Sequence, residues 1–239
     1  YEEICRVPLK ILLTRKTAEE TFGEECVPAS IGEYGAIALH LIHERWAMAE
    51  ESFWEPYIAV LPEIDDVGAS FAWEDEELDL LLNGTNLLSQ SKYLRSKIQD
   101  EFATLQRTLF AEHPDKFPAD VFTVDRYIWA YCILFSRAVR LDFQSSMFET
   151  PGEIVALVPY VDLINHNPSS ETFIKGFVDG VKLPFGLETT TTDVVVAADR
   201  YYGEYEQIYL SYGDKSNSQL LMLYGFSMER NTKNFVEMP

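Results

Sequence analysis

The sequence predicts an α+β fold. Helical patterns fill its first half, short strand-like runs fill its second, and no regular β-α-β alternation joins them. The 239 residues suffice for one large domain or two small ones, and 47% hydrophobic residues allow a sizeable core. No internal repeat is visible.

Residues Cys5 to Leu13 alternate as a strand does, with Pro8 marking an edge. Ser30 and Glu33 have capping-box spacing, and a helix from Glu33 to about Ser52 carries Ile37, Leu41 and Trp46. Phe53-Trp54-Glu55-Pro56-Tyr57-Ile58 and Leu61-Pro62 end it. A second helix shows the stripe Leu94, Ile98, Phe102, Leu105 and Leu109. A third, Val124 to Leu141, is apolar nearly all round and is expected to be buried; Ser136-Arg137-Ala138 lie at its end. After Pro151-Gly152 the strands begin: Ile154 to Val158, Phe173 to Phe177, Val194 to Ala198 and Gln207 to Tyr212, with the threonines Thr189 to Thr192 expected in an edge or loop. A last helix is framed by the capping box Ser216/Gln219 and a C-terminal glycine, Gly225.

The formal net charge is −20. That argues against nucleic acid, which requires Lys and Arg on its phosphates, and against an anionic membrane surface. It suits a basic partner reached by steering, and equally simple solubility. Three dispersed cysteines, Cys5, Cys26 and Cys132, form no C-x-x-C pair and fit a reducing, intracellular compartment. No apolar stretch is long enough to span a membrane. His40 and His43 have metal-ligand spacing on a helix but lack a third ligand in the pattern.

The chemistry-bearing residues cluster after Val158. Asp162, Asn165 and His166 place a carboxylate, an amide and an imidazole within five positions, with Pro168 extending Asn167. Arg137, closing an apolar helix, requires a partner if buried: Asp162 or a ligand carboxylate. Tyr212 and Tyr224 sit at the two ends of the final strand-turn-helix element. Taken alone they read as core tyrosines with satisfied hydroxyls, and Asn165-His166 as a polar turn.

The order Phe53-Trp54-Glu55-Pro56-Tyr57 with Leu61-Pro62, Ser136-Arg137-Ala138, Asp162-Leu163-Ile164-Asn165-His166, Ser211-Tyr212-Gly213 and Tyr224-Gly225-Phe226 resembles the SET-domain protein methyltransferases. Within them it is similar to the class of the plant Rubisco large-subunit lysine methyltransferase, over nearly the whole chain. The resemblance implies a SET-domain β-fold of short strands, with residues 1–62 opening it, 63–122 a large helical insertion, and 123–239 the core with the site. It implies S-adenosyl-L-methionine as cofactor and a lysine of a protein substrate as methyl acceptor; histidine stays open, since the wider class includes such an enzyme.

By the same resemblance, Tyr212 is the active-site tyrosine. Arg137, Asn165, His166, Tyr224 and Phe226 belong to the cofactor site. Ser136 and Asp162, with Tyr212 and Tyr224, belong to the acceptor side. The class also has a glycine-containing cofactor loop upstream of Arg6-Val7-Pro8 and a helical C-terminal substrate-binding domain, and neither is expected within Tyr1 to Pro239. Val139 stands where an aromatic commonly follows Ser-Arg-Ala. Those departures and the acidity motivate the competing reading: a non-catalytic SET-fold docking subunit of a larger complex. A plastid location follows from the plant members; cytosol and nucleus stay open.

Overall fold

Helical and strand segments part into two compact units, Tyr1–Thr14 with Ala138–Asp214 and Arg15–Arg137 with Lys215–Pro239. They are seen in a computed structural model that describes residues 2–144, 152–182 and 188–235; Tyr1, Pro151 and Pro239 lie outside the described residues.

The first unit holds the strands β1 (Glu3–Pro8), β2 (Leu13–Thr14), β3 (Val139–Gln144), β4 (Glu153–Leu157), β5 (Asn165–His166), β6 (Phe173–Lys182), β7 (Glu188–Ala197) and β8 (Tyr209–Leu210). Six of them form one sheet in the order β1-β7-β6-β3-β4-β2, while β5 and β8 pair separately in parallel. Alternation drives the main sheet: Leu141 and Phe143 on β3 and Val194 and Val196 on β7 are buried, while their neighbours are less so. They meet Val7, Leu12, Ala156, Val158, Val161, Val178 and Leu210 in one core, against which the Tyr212 ring packs. Phe143 lies over Gly176, where an added Cβ would fall 2.5 Å from the ring.

The strand expected from Cys5 to Leu13 breaks at Pro8. Proline fixes φ near its −63° and lacks an N–H for the ladder. Leu9–Ile11 then turn as a 3-10 helix, and pairing resumes only at Leu13. Pro8 does sit on the outermost strand. Thr189 to Thr192 are strand rather than loop: they pair with Val178 to Val181 in an arm of the β6–β7 hairpin beyond the reach of β1.

The second unit holds α1 (Arg15–Phe22), α2 (Glu33–Ile42), α3 (Glu55–Ile58), α4 (Ile64–Val67), α5 (Asp75–Leu81), α6 (Asn86–Arg107), α7 (Leu109–Glu112), α8 (Val124–Arg137) and α9 (Asn217–Tyr224). Helix α8 is its centre, buried from Tyr127 to Leu134 and packed on α2, α6 and α9. It ends at Arg137, not Leu141, because the run from Val139 alternates Val139, Leu141 and Phe143 with polar residues and pairs with β4 as a strand instead.

The Ser30/Glu33 capping box does not form. Helix α2 is capped by Gly32 without a side-chain bond. The Arg15 guanidinium collects the carbonyls of Val27, Pro28 and Ile31, which holds that segment as a loop. Past Ile42 the helical path widens into a π-helical turn, His43–Met48, then tightens into a 3-10 turn, Ala49–Glu51. The stripe Ile98, Phe102 and Leu105 is buried on α6, but Leu109 falls on α7 beyond a break at Thr108.

The capping box of α9 is present in full. Ser216 Oγ accepts from the Gln219 N–H, and the Gln219 side chain accepts from the Ser216 N–H. Gly225 closes the helix at φ 76°, back to back with Gly68, the left-handed cap of α4.

Candidate functional site

In the strand unit, two short segments hold one another. Asn165 and His166 pair in parallel with Tyr209 and Leu210, and the Asn167 N–H extends the ladder to the Leu210 carbonyl at 2.9 Å. The chain then turns back over this pairing. The Tyr212 N–H donates to His166 Nδ1 at 3.0 Å, and the Tyr212 hydroxyl donates to the Ile164 carbonyl at 2.8 Å. The two rings stack with centroids 4.9 Å apart and planes at 24°. Tyr212 is therefore fixed at both ends to the residues that flank Asn165.

Two chemical consequences follow. The His166 Nδ1 stands between two backbone groups, the Tyr212 N–H at 3.0 Å and the Leu210 carbonyl at 3.3 Å, so the ring is held in place whichever nitrogen carries the proton. A hydroxyl whose hydrogen is committed to a carbonyl presents only lone pairs elsewhere. The half-buried Tyr212 oxygen is thus an oriented acceptor, suited to an amine N–H or to the polarised C–H of a methyl group. Asn165 itself is exposed on this ledge, and Asp162 lies half-buried on the 3-10 turn Val161–Leu163 just before it.

A carboxylate supports the ledge from behind. Asp199 accepts from the Glu171 N–H at 2.8 Å, Tyr202 Oη at 2.8 Å and Thr172 Oγ1 at 3.1 Å. Ser170 Oγ donates to the Tyr209 carbonyl at 2.6 Å, so the clamp reaches β8. Burial alone would raise the Asp199 pKa, but these donors outweigh it and bring it down to about 2.

The helical unit carries the remaining sequence-predicted residues. Arg137 is the last residue of α8, half-buried and engaged. Ser136 turns back on its own helix, with Oγ 2.7 Å from the Cys132 carbonyl and 3.2 Å from that of Ile133. Its donor is spent on the backbone. Tyr224 and Phe226 flank Gly225 with ring centroids 6.2 Å apart at 69°, an edge-on pair, both half-buried. Burial raises the pKa of the Cys132 thiol inside α8 to about 12, which leaves it inert.

Tyr212, His166 and the Ile164–Asn165 segment thus meet in one unit, and Arg137, Tyr224 and Phe226 lie in the other. The helical histidine pair is differently employed. His40 is fully buried, with Thr17 and Thr21 hydroxyls each 3.1 Å away and Glu44 at 3.2 Å. Among the described residues no group of three His, Cys, Asp or Glu side chains is placed to hold a metal. No helix there is long and apolar enough to cross a membrane.

Sequence reasoning missed the Ile164 carbonyl, Gly68 and Asp199. A backbone carbonyl has no residue signature. Gly68 and Asp199 stand in no motif that marks them in the sequence.

No family model matches the chain. It is 31% identical over 97% of its length to the chloroplastic fructose-bisphosphate aldolase lysine N-methyltransferase of Arabidopsis thaliana, and covers 44% of that protein. It is 29% identical over 94% of its length to the chloroplastic Rubisco large-subunit N-methyltransferase of Nicotiana tabacum, and covers 43% of it. Among solved structures, the SET domain of LSMT bound to methyl-lysine and AdoHcy superposes with a TM-score of 0.76 at 24% identity, over 97% of this chain and 48% of that one. The same domain bound to lysine and AdoHcy gives 0.68 at 26% identity, over 95% of this chain and 48% of that one. The chain thus spans less than half the length of the relatives it matches.

The fold is that of a SET domain. By sequence, the chain is similar to SET-domain protein methyltransferases, among them the plant Rubisco large-subunit methyltransferase.

Proposed function

We propose that this chain is the SET-domain part of an S-adenosyl-L-methionine-dependent protein methyltransferase whose acceptor is a lysine side chain. The observation that carries the reading is the Tyr212 hydroxyl, fixed as a donor to Ile164 and thereby presenting an oriented oxygen beside Asn165 and His166. It is supported by relatives named as lysine methyltransferases, and by a related SET domain whose structures hold lysine and AdoHcy.

The ledge suits such a donor, with an exposed amide at Asn165 and a held imidazole at His166. The reading assigns Arg137, Asn165, His166, Tyr224 and Phe226 to holding the donor, and Ser136, Asp162, Tyr212 and Tyr224 to the acceptor side. When bound, the donor supplies a methyl group activated on a sulfonium. The chain contributes alignment and a selected protonation state, because the attacking nitrogen needs a free lone pair. A channel that excludes water favours the neutral amine by desolvation, and the reading gives the Tyr212 oxygen the role of orienting it.

The protein targets named for its relatives, fructose-bisphosphate aldolase and the Rubisco large subunit, are the first substrates to offer. The two chloroplastic relatives make the plastid the first compartment to examine. The test gives the full-length protein labelled donor with each target, measures donor binding by calorimetry, and maps modified peptides. Label on a lysine supports the reading; label on a histidine corrects the acceptor. Absence of both transfer and donor binding removes it in favour of a docking role.

A further inference from the structure

We propose that Asn217 is a positioning residue for the donor site: its side-chain amide fixes Phe226 by pinning the chain that leaves helix α9. The proposal rests on the methyltransferase reading above, which assigns Phe226 to the donor, and deepens it.

Phe226 opens a segment with neither secondary structure nor a core to order it. Among the described residues no helix or strand follows Tyr224, and no residue from Ser227 to Phe235 is buried. Such a segment is ordered by hydrogen bonds or not at all. Asn217, the first residue of α9, is the hub of those bonds. Its Nδ2 donates to the Met228 carbonyl at 2.9 Å, and its Oδ1 accepts from the Met228 N–H at 3.2 Å. The exchange of both bonds copies an antiparallel strand pair, with a side-chain amide in place of one strand. Asn231 Nδ2 donates to Asn217 Oδ1 at 3.0 Å and to the Lys215 carbonyl at 2.9 Å. The Asn217 N–H donates to Asn234 Oδ1 at 2.9 Å.

The pin matters to Phe226 because of what holds its other side. Gly225 is packed against the Val67 and Gly68 backbone. Phe226 and Ser227 alone join that contact to Met228, so the backbone that aims the Phe226 ring is fixed at both ends within two residues. Released at Met228, it is fixed at one end only, while Tyr224 stays inside the helix. A wall that contacts a ligand binds best when its geometry is set beforehand. The chemistry asks for an amide. A carboxylate of the same shape keeps the bond from the Met228 N–H, loses the bond to the Met228 carbonyl, and sets a negative oxygen against it. A negative charge in the first turn nevertheless suits the helix dipole. Asn217→Asp therefore loosens the pin without weakening α9.

The test measures the affinity of the full-length protein for S-adenosyl-L-methionine by calorimetry, beside its urea midpoint. Asn217→Asp is expected to weaken donor binding about tenfold, corresponding to 1.4 kcal/mol, with little change in midpoint. Ser216→Ala removes the adjoining cap and none of the bonds to Met228, and is expected to do the reverse: a lower midpoint with donor affinity unmoved. Phe226→Ala is expected to weaken donor binding, and on that background Asn217→Asp is expected to add little, because no ring remains to be placed. Unchanged donor affinity in Asn217→Asp or in Phe226→Ala overturns the proposal alone. So does a tenfold loss that persists in full on the Phe226→Ala background, or a loss matched by an equal fall in midpoint, which would make Asn217 a residue of the fold only. Failure of the natural protein to bind the donor overturns the underlying reading with it.

Discussion

Tyr212 and Tyr224 end the two halves of one sequence element, yet the molecule holds them by different physics. In the strand unit, Tyr212 is secured by two side-chain hydrogen bonds and a ring stack, to Ile164 and His166. In the helical unit, the Tyr224-Gly225-Phe226 corner is secured by backbone against backbone: the left-handed Gly225 rests on Val67 and Gly68. Hydrogen bonds can be removed one at a time, with a graded loss. A close-packed backbone contact has no intermediate state, because hard-sphere overlap rises steeply with any added atom. Around Tyr212 single groups can therefore be removed without unfolding, whereas at the Gly225 corner the fold itself is at stake.

The largest effect is expected at the backbone contact. A Cβ on Gly225 would fall 1.7 Å from the Val67 carbonyl oxygen, at a φ of 76° that already disfavours alanine. Gly225→Ala is expected to destabilise by about 4 kcal/mol, in the range reserved for strain and overpacking, read as the midpoint shift in urea denaturation. Gly68→Ala, whose Cβ would meet the Gly225 carbonyl at 3.3 Å, isolates the conformational part and is expected to cost about 1–2 kcal/mol. Equal losses at the two positions would break the contrast drawn above.

Tyr212→Phe comes next and acts on rate rather than fold. The ring and its packing remain, and only the hydroxyl is lost, at about 1 kcal/mol of stability. On the proposed methyltransferase reading, turnover is expected to fall about 100-fold, the usual effect of deleting one preorganised polar group aimed at a transition state. Donor affinity is expected to stay within a few fold. Equal losses of turnover and donor binding would move Tyr212 from orienting the acceptor to holding the donor.

The contrast also decides what was legible in the sequence. Backbone rules acting within a few residues were readable: the Ser216/Gln219 capping box and the Gly225 cap are both where their spacing puts them. The same spacing misled at Ser30 and Glu33, because a distant residue, Arg15, claimed the carbonyls that fix that loop. Alternation placed β1 but not the break at Pro8, and short apolar runs placed parts of β4, β6 and β7 but not the strand that begins at Val139, where pairing with β4 outcompetes helix propensity. Asn165, His166 and Tyr212 were identifiable as a set only through family order. The bonds that join them run over 46 and 48 residues and use a carbonyl, which no local pattern encodes.

Ser216→Ala tests the helical half more gently. It removes the oxygen that accepts the Gln219 N–H while leaving the Gly225 contact alone, and is expected to cost about 1 kcal/mol. A cost approaching that of Gly225→Ala, in the same urea titration, would show that the cap rather than the glycine contact fixes the corner.

The smallest effect belongs to the strand unit and to acid. Asp199 titrates near 2 in the folded chain against 3.8 when unperturbed, since burial is outweighed by the Glu171, Tyr202 and Thr172 donors. A carboxyl depressed on folding stabilises the protein above its unfolded pKa, and the contribution fades as pH falls through the folded value. Asp199 therefore contributes fully above about pH 4 and loses its contribution between there and about pH 2. Because the group lies near solvent, screening holds its worth to about 1 kcal/mol or less. Urea midpoints for the natural protein and Asp199→Asn should differ at neutral pH and converge as pH drops through that window. Because the clamp reaches β8 through Ser170 and the Tyr209 carbonyl, the variant should also loosen the ledge, with faster amide hydrogen exchange at Asn167 and Tyr212 than in the natural protein. A midpoint difference that persists unchanged at low pH would show that the clamp works through shape and neutral hydrogen bonds, as the glycine corner does, and would erase the distinction between the two halves.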